Sequence, residues 1–187
     1  RHVSSHPPSG HSTRTPILQN NSDTDSGTNR QPINKPLKQH PKRPIDGFLC
    51  NRSEVSGTRL WGAFREWFHS ADHFFKDHFI ANFCPLVFME DSSRNRTPDK
   101  LPSEESRPLF ELCNKHLRET VDILKPQTII GIGLFAQKQA KKALSDYSVT
   151  IGTILHPSPA SPAANRDWKG RASMQLKEMN LGIPEFT

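Results

Sequence analysis

The chain has 187 residues, 33% of them hydrophobic, and a net charge of +6. This length allows one domain, and since no apolar run approaches membrane-spanning length, we expect a soluble protein with no membrane partner and, without a signal-peptide pattern, no secretion. Only Cys50, Cys84 and Cys113 are present, an odd number with wide gaps, which argues against a disulfide framework and a zinc knuckle and favours a reducing compartment.

The N-terminal segment differs in composition from the rest of the chain. Residues 1–44 contain seven Lys or Arg against two Asp, seven of the sixteen prolines and no aromatic residue. So few apolar side chains do not offset the entropy lost on ordering the chain. We therefore predict that residues 1–36 form a disordered, basic, Pro/Ser-rich tail and that residues 37–187 carry the domain. The tail is either a solvated segment without a particular function or a basic arm that attracts polyanions.

The first half of the domain predicts a helix, a strand and a loop. From Ser53 onward, apolar residues recur at helical spacing: Leu60, Trp61, Phe64, Trp67 and Phe68. The run HFIANFCPLVFM, residues 78–89, predicts a buried strand that is interrupted by Asn82. The polar stretch EDSSRNRTPDKLPSEES, residues 90–106, then predicts a long exposed loop.

The second half alternates between helical and strand patterns. Apolar residues from Leu109 to Leu124 mark an amphipathic helix that stops before Pro126, and TIIGIG, residues 128–133, predicts a strand. A helix covers Phe135 to Leu144, VTIGTILHPS (149–158) is the last strand, and a terminal helix includes residues 168–179. This alternation indicates an α/β fold with a parallel sheet and right-handed crossovers.

The stretch HPSPASPAANRDW, residues 156–168, is the first candidate site. Pro157, Pro159 and Pro162 lack an N–H and fix φ, so we expect a stiff, extended loop after the last strand. His156 then lies at the carboxyl end of a strand, where open α/β sheets bind ligands. Asn82, inside its apolar run, is a second candidate because a buried amide needs partners. The alternatives are a structural loop histidine and an asparagine that bonds a neighbouring backbone group.

These motifs occur in an order that resembles the uracil-DNA glycosylase superfamily, and most closely its single-strand-selective monofunctional branch. The resemblance runs through LKQHPKRP (37–44), SEVSGTRLWG (53–62), NFCPL (82–86), SSRNRTPDKLP (92–102), IIGIG (129–133) and HPSPASPAANRDW. It implies a three-layer α/β fold with a central parallel sheet.

The resemblance also implies an activity. Such glycosylases extrude a nucleotide from the stack and cut its N-glycosidic bond, with no metal, no cofactor and no covalent lysine step. The histidine that maps to His156 would hydrogen-bond the departing base, which leaves as an anion. Asn82 would offer a donor and an acceptor that suit uracil and disfavour cytosine. The implied partner is uracil-containing DNA, single- or double-stranded, and the implied state is a nuclear monomer.

The loop after residue 90 resembles a DNA-contacting insertion of the family, in which Arg94 and Arg96 would pair with phosphates. The alternative is a solvated loop. His69 and His73, four residues apart, could form a metal pair, but no third ligand is evident and solvated histidines are the more common outcome. The residues expected to contact DNA are Ser92, Ser93, Arg94, Asn95, Arg96, Thr97, Pro98, Asp99, Lys100, Leu101, Pro102, Ser103, Glu104, Glu105, Ser106, Pro157, Ser158 and Pro159.

The sequence also departs from the family pattern. The family's Gly-Met-Asn-Pro-Gly-Pro motif, whose asparagine positions the attacking water, does not occur in it. Ala160 stands where an arginine usually wedges into DNA, and Ser93 stands where glycine is usual. We therefore expect the C-terminal part of such a domain, without its first strand and with little activity. The alternative is a non-catalytic truncated product that binds DNA or a protein.

Overall fold

The computed structural model describes residues 34–35, 37, 39–46, 50 and 53–183, and the structural statements below refer to these residues. The predicted disordered tail lies outside them except for residues 34–35, so that prediction and the domain boundary at residue 37 stay predictions. In chain order the elements are α1 (Val55–Phe68), α2 (Ala71–Asp77), β1 (Phe88–Met89), β2 (Asn95–Arg96), a 3₁₀ turn (Pro98–Lys100), α3 (Ser103–Leu124), β3 (Thr128–Ile132), α4 (Leu134–Ala143), β4 (Thr150–Ile154) and α5 (Pro162–Glu178).

Strands β3 and β4 form the parallel sheet that the alternating pattern predicts. They pair in register from Thr128 opposite Thr150 to Ile132 opposite Ile154, with α4 as the connection. Gly131 allows α4 to approach the sheet, because a Cβ at this position would overlap the backbone of Gln137. Close packing of strand and helix therefore accounts for Gly131, the first glycine in TIIGIG.

Helices cover both faces of this sheet. On one face, Ile154 packs with Ala63 of α1 and Trp168 of α5, all three buried. On the other face, Ile151 packs against the cluster formed by Val121 of α3 and Leu144 at the end of α4. Successive strand residues point to opposite faces, so each strand feeds both clusters. The predicted three-layer α/β architecture with a central parallel sheet is confirmed.

The buried strand predicted for residues 78–89 is wrong. Residues 78–87 belong to no strand of the described chain, and only Phe88–Met89 pairs, with Asn95–Arg96 in a short antiparallel hairpin. Phe79 and Val87 are 59% and 72% exposed. A strand requires a neighbour for its backbone hydrogen bonds, and no described strand lies beside this segment. An apolar run by itself does not supply that neighbour.

One helix boundary and one missed helix also correct the predictions. Helix α3 begins at Ser103, so the last residues of the predicted loop, Ser103 to Ser106, form its first turn. Helix α2 was not predicted at all, although Ser70 caps it by accepting a hydrogen bond from the His73 amide at 3.1 Å. By contrast, α1, α4 and the end of α3 before Pro126 are confirmed.

Candidate functional site

The loop that carries His156 is fixed at its start by helix α5. The indole Nε1 of Trp168 donates to the Leu155 carbonyl at 2.6 Å, and the Leu155 amide donates to Oε1 of Gln175 at 2.7 Å. Trp168 is itself 3% exposed within the α1–α5 core cluster. Both backbone groups of Leu155 therefore have partners on a packed helix, and the chain leaves β4 in a defined direction.

Arginine and asparagine side chains hold the proline part of the same loop. Arg59 of α1 donates to the Pro157 carbonyl at 3.1 Å and to Oδ1 of Asn165 at 2.9 Å. Asn165 of α5 in turn donates to the Pro159 carbonyl at 2.8 Å. The prolines have no N–H, so their carbonyls are the only backbone groups through which the loop can be held there. The predicted loop is confirmed from Leu155 to Ser161, but it is not extended throughout. The chain turns at Pro159 and Ala160, where the Ser161 amide donates to the Ser158 carbonyl at 3.0 Å, and Pro162 begins α5.

His156 lies at the carboxyl end of β4, as predicted, and its side chain is exposed. The Ser158 amide donates to its Nδ1 at 3.1 Å. A ring nitrogen that accepts a hydrogen bond carries no proton, so a neutral imidazole in this geometry is protonated on Nε2. The structure thus leaves Nε2–H as a donor for a bound molecule. Gly133 provides the surface under the ring, since a Cβ there would lie 2.9 Å from Cβ of His156.

Asn82 lies on the exposed segment 78–87, which corrects its expected burial in a strand. Its side chain makes no hydrogen bond to another described residue. The next two residues anchor the backbone, because the ring of Phe83 lies 5.9 Å from that of Phe110 and 6.0 Å from that of Phe135. Cys84 contacts the buried thiol of Cys113 on α3. Asn82 is therefore held through its chain neighbours and not through its own amide.

His156 and the segment that carries Asn82 both lie next to the N-terminus of α4. Gly133, its N-cap, lies against His156, and Phe135, in its first turn, packs against the neighbour of Asn82. The carboxyl end of β3 leads directly into this turn. His156 and the Asn82 segment therefore flank one edge of the parallel sheet, the edge at which α/β folds bind ligands.

Burial and the neighbouring Cys84 raise the pKa of the Cys113 thiol from 9.0 to about 11. This thiol therefore stays neutral at physiological pH and packs as a small apolar group. Cys113 is 4% exposed. These properties make it a structural anchor for the Asn82 segment and exclude it as a nucleophile.

The predicted DNA-contacting insertion forms a hairpin, with Glu90 and Asp91 beside Arg94 and Arg96, followed by a 3₁₀ turn. A cleft of about 440 Å³ is lined by Glu90, Arg94, Asn95, Arg96 and Lys100. Arg94 pairs with Glu90 at 2.9 Å, and Nε of Arg96 donates to the Lys100 carbonyl at 3.1 Å. The charge of Arg94 is thus partly balanced within the hairpin, whereas the ammonium of Lys100 is exposed.

The remaining predicted DNA contacts fall into two places. Ser92 lies in the hairpin turn, and the chain then passes through Thr97, Pro98, Asp99, Leu101 and Pro102 to the first turn of α3. That turn contains Glu104 and Glu105, whose charges favour the helix N-terminus but repel phosphate. Ser158 and Pro159 lie in the His156 loop beside Pro157, which is buried.

Ser93 has a backbone conformation that explains why its position favours glycine. Its φ is +69°, in the left-handed region where side chains with a Cβ are disfavoured. The Ser93 amide donates to the Glu90 carbonyl at 2.8 Å and closes the hairpin turn. The departure from glycine is therefore expected to cost the hairpin stability.

Within the described residues, the histidine pair forms no metal site and no helix could span a membrane. His73 does not point to a shared metal position, because its Nδ1 lies 3.2 Å from the Phe68 carbonyl. The described part of the chain contains no group of three His, Cys, Asp or Glu side chains that could hold a metal ion. None of its helices is both long enough and apolar enough to span a membrane.

Sequence reasoning missed Arg59 and the role of Asn165. Both stand inside quoted motifs, SGTRLWG and PAANRDW, yet neither motif indicates that the two side chains meet. They belong to different helices, and the two residues are 106 positions apart in the chain. One signal in the sequence could have found them. Because prolines lack an N–H, the proline loop is held through its carbonyls, and these need donor side chains from elsewhere in the chain.

Comparisons with known proteins match the sequence to one family. Residues 26–179 match the family model of the uracil DNA glycosylase superfamily. The chain is 39% identical over 158 residues to the single-strand selective monofunctional uracil DNA glycosylase of Bos taurus, which covers 83% of this chain and 58% of that protein. For the Mus musculus protein of the same name the identity is 39% and the coverage 83% and 56%. For that of Rattus norvegicus it is 40% over 154 residues, with 81% and 55% coverage. The chain spans a little over half the length of these curated relatives.

Proposed function

Because the chain belongs to the uracil DNA glycosylase superfamily, we propose that it binds a uracil nucleotide extruded from DNA and hydrolyses the N-glycosidic bond. In this reaction the base leaves as an anion while the sugar gains oxocarbenium character. A site that performs it must favour negative charge on a pyrimidine oxygen. It must also distinguish uracil from cytosine at the edge of the base.

His156 is proposed as the catalytic donor to that oxygen. The observation that supports this role is the hydrogen bond from the Ser158 amide to Nδ1, which leaves the proton on Nε2 and directs that nitrogen away from the loop. A donor whose position is set before the substrate binds needs no reorganisation when the charge develops. Such donors typically contribute about 10²- to 10³-fold in rate.

Asn82 is proposed to read the base. Its amide offers one acceptor and one donor group, which match the N3–H and the O4 of uracil; cytosine presents the opposite pattern. The amide has no hydrogen-bond partner among the described residues and is exposed. It is therefore available to a ligand at the sheet edge that it shares with His156.

DNA is the proposed partner, in single or double strands. The cleft rimmed by Arg94, Arg96 and Lys100 presents cationic groups to phosphates. The net charge of +6 adds a long-range attraction that weakens as salt increases. We propose further that the protein acts as a monomer in the nucleus, without a metal or a cofactor.

We expect the release of uracil by the 187-residue chain to be slow. The sequence contains no Gly-Met-Asn-Pro-Gly-Pro motif to position the attacking water. Loss of such positioning typically lowers a rate by about 10²- to 10⁴-fold. Since enzymes accelerate reactions by about 10⁶- to 10¹⁷-fold, the remaining activity is measurable with excess protein and long incubation.

A second candidate function is binding without catalysis, to DNA or to a protein. Two observations favour it: Asn82 lies on a segment that no strand holds, and Ala160 replaces the family's wedge residue. The cleft lined by Arg94, Arg96 and Lys100 would then be the main binding surface. Binding of a uracil-containing strand without release of uracil would support this function over the first.

The test is a single-turnover assay with a single-stranded oligonucleotide that contains one uracil, and a thymine oligonucleotide as the substrate control. The variants are His156→Ala and the exposed α3 residue His116→Ala as the protein control. We expect slow release from uracil only, a loss of about 10²- to 10³-fold in His156→Ala, and DNA affinity within about twofold. Equal rates for His156→Ala and the unaltered chain, or equal release from both oligonucleotides, would refute the proposal.

A further inference from the structure

We propose that Arg59 is a positioning residue that sets the tautomer and direction of His156 through a single peptide group. The inference rests on the proposed role of His156. The Pro157 carbonyl accepts from Arg59 at 3.1 Å, and the Ser158 amide donates to Nδ1 of His156 at 3.1 Å. These two groups belong to the same peptide bond, so guanidinium and imidazole lie at its opposite ends.

The planarity of the peptide bond makes this connection rigid. The C=O and N–H of one peptide unit point in opposite directions and do not rotate independently. A guanidinium that fixes the Pro157 oxygen therefore also fixes the direction of the Ser158 N–H. The positive charge also polarises the amide, which makes its N–H a stronger donor to Nδ1. Both effects favour the tautomer of His156 that carries its proton on Nε2.

The fork of Arg59 suits this task better than a point charge would. One arm binds the Pro157 carbonyl while the other binds Oδ1 of Asn165, at 2.9 Å, and a longer contact of 3.5 Å reaches the Ser158 carbonyl. Asn165 then holds the Pro159 carbonyl. A lysine could reach one of these oxygens but not two at fixed angles. The guanidinium thus clamps the loop from α1 while the amide clamps it from α5.

Packing of the two helices does not depend on this clamp. Ala63 of α1 and Trp168 of α5 are 2% and 3% exposed in the same core cluster, and Lys169 of α5 pairs with Glu66 of α1. Arg59 itself is only partly buried. Its replacement is therefore expected to disturb the loop and leave the helices in place.

The first experiment measures the tautomer directly and does not need activity. Long-range ¹⁵N–¹H NMR spectra of the imidazole of His156 are recorded for the 187-residue chain, for Arg59→Met and for Arg59→Lys. Arg65→Met is the matched control, an exposed arginine about 1.7 turns further along α1. We expect one tautomer in the unaltered chain and in the control, and a mixture of both in Arg59→Met. Unchanged spectra in Arg59→Met would overturn the proposal.

If Arg59→Met does not fold, as judged by circular dichroism, Arg59→Lys decides the question. Lysine keeps the positive charge and the length of the side chain but loses the fork. An intermediate mixture of tautomers supports the proposal. A spectrum identical to that of the unaltered chain shows that the fork is not required and overturns it.

The second experiment is a double-mutant cycle on uracil release. We expect Arg59→Met to slow single-turnover release by about 10-fold with DNA affinity within about twofold, and to have no further effect in a His156→Ala background. A merely structural role would give additive losses and would refute the proposal. If the unaltered chain releases no uracil, the proposed function fails, and the NMR spectra still decide the role of Arg59.

Discussion

The His156 loop and the Asn82 segment border the same turn of the molecule but are held in different ways. In the loop, the carbonyls of Leu155, Pro157 and Pro159 each have a side-chain partner on α1 or α5. In the segment, residues 78–87 join no described strand. Side-chain contacts anchor it at His78, whose ring packs on Phe74, at the ring of Phe83 and at the thiol of Cys84.

This difference explains why one half of the proposed site is held more firmly than the other. The loop has few donors, so its carbonyls are bound by side chains from two packed helices, and its geometry follows from their packing. Every residue of the segment except Pro85 has a backbone N–H, but no described strand lies beside it to pair with. The proposed transition-state donor is therefore preorganised, whereas the proposed base reader is placed only by its chain neighbours.

The largest expected effect is a loss of stability when the anchor of the His156 loop is removed. Trp168→Ala removes a side chain that is 3% exposed and leaves the Leu155 carbonyl without its donor, so we expect a loss of about 3 to 5 kcal/mol in unfolding free energy. Trp168→Phe keeps most of the packing and should lose about 1 to 3 kcal/mol. Urea unfolding followed by circular dichroism measures both.

The matched change on the segment side is Val87→Ala, at a residue that is 72% exposed. We expect an effect below about 0.5 kcal/mol, because little apolar surface is buried there. A loss as large as that of Trp168→Phe would show that the segment is held as firmly as the loop, and the comparison would fail.

The next prediction concerns the turn that both regions border. Gly133 has a φ of +94°, and an added Cβ would lie 2.9 Å from Cβ of His156. We expect Gly133→Ala to cost about 1 to 3 kcal/mol and to shift the NMR signals of the His156 ring. Gly62→Ala is the control, in the interior of α1 with open space around it, and should gain about 0.5 to 1 kcal/mol. Unshifted ring signals in Gly133→Ala would show that the turn at Gly133 does not influence the position of the His156 ring.

A smaller effect is expected in the hairpin that follows the Asn82 segment. Ser93→Gly relieves the φ of +69° and should raise stability by about 0.5 to 1 kcal/mol. Amide exchange of Glu90, whose N–H donates to the Arg94 carbonyl at 3.0 Å, reports the hairpin directly. Ser92→Gly, at a neighbour whose φ is not positive, should instead lower stability slightly. Equal changes at both positions would contradict the strain argument.

The smallest expected effect is a pH dependence of the unfolding free energy, which arises where Cys84 of the segment contacts Cys113. Burial and Cys84 raise the pKa of Cys113 from 9.0 to about 11, so folding favours the neutral thiol. Its stabilising contribution is fully present below pH 9.0 and is lost as the pH rises towards about 11. The difference in unfolding free energy between the unaltered chain and Cys113→Ala should therefore narrow over this interval. Urea unfolding at several pH values measures it, and a constant difference would contradict the shift.

The sequence predicted those elements whose apolar residues either recur at helical spacing or form a short continuous run. The helical spacing around Trp61 and the runs at 128–133 and 149–158 led to α1, β3 and β4. The same reasoning failed at 78–89, because an apolar run indicates burial and β propensity but not the presence of a pairing strand. It also missed α2, whose seven residues are too few for a repeating pattern.

The candidate site divides in the same way. The position of His156 after a strand and before prolines was predicted from local chemistry, because prolines end strands wherever they occur. The roles of His156 and Asn82 came from the family motifs and stay proposals. Arg59 was not predicted, because its hydrogen bond to the Pro157 carbonyl joins residues 98 positions apart.

By itself, the sequence determined the periodic helices, the two paired strands, the stiff loop after β4 and the family. These features depend on residues close together in the chain, whose spacing and backbone restrictions act in any surroundings. Only the tertiary structure decided that residues 78–87 pair with no described strand and that α1 and α5 clamp the His156 loop between them. Those outcomes depend on which distant groups meet, and a hydrogen bond exists only when donor and acceptor come within about 3 Å of each other.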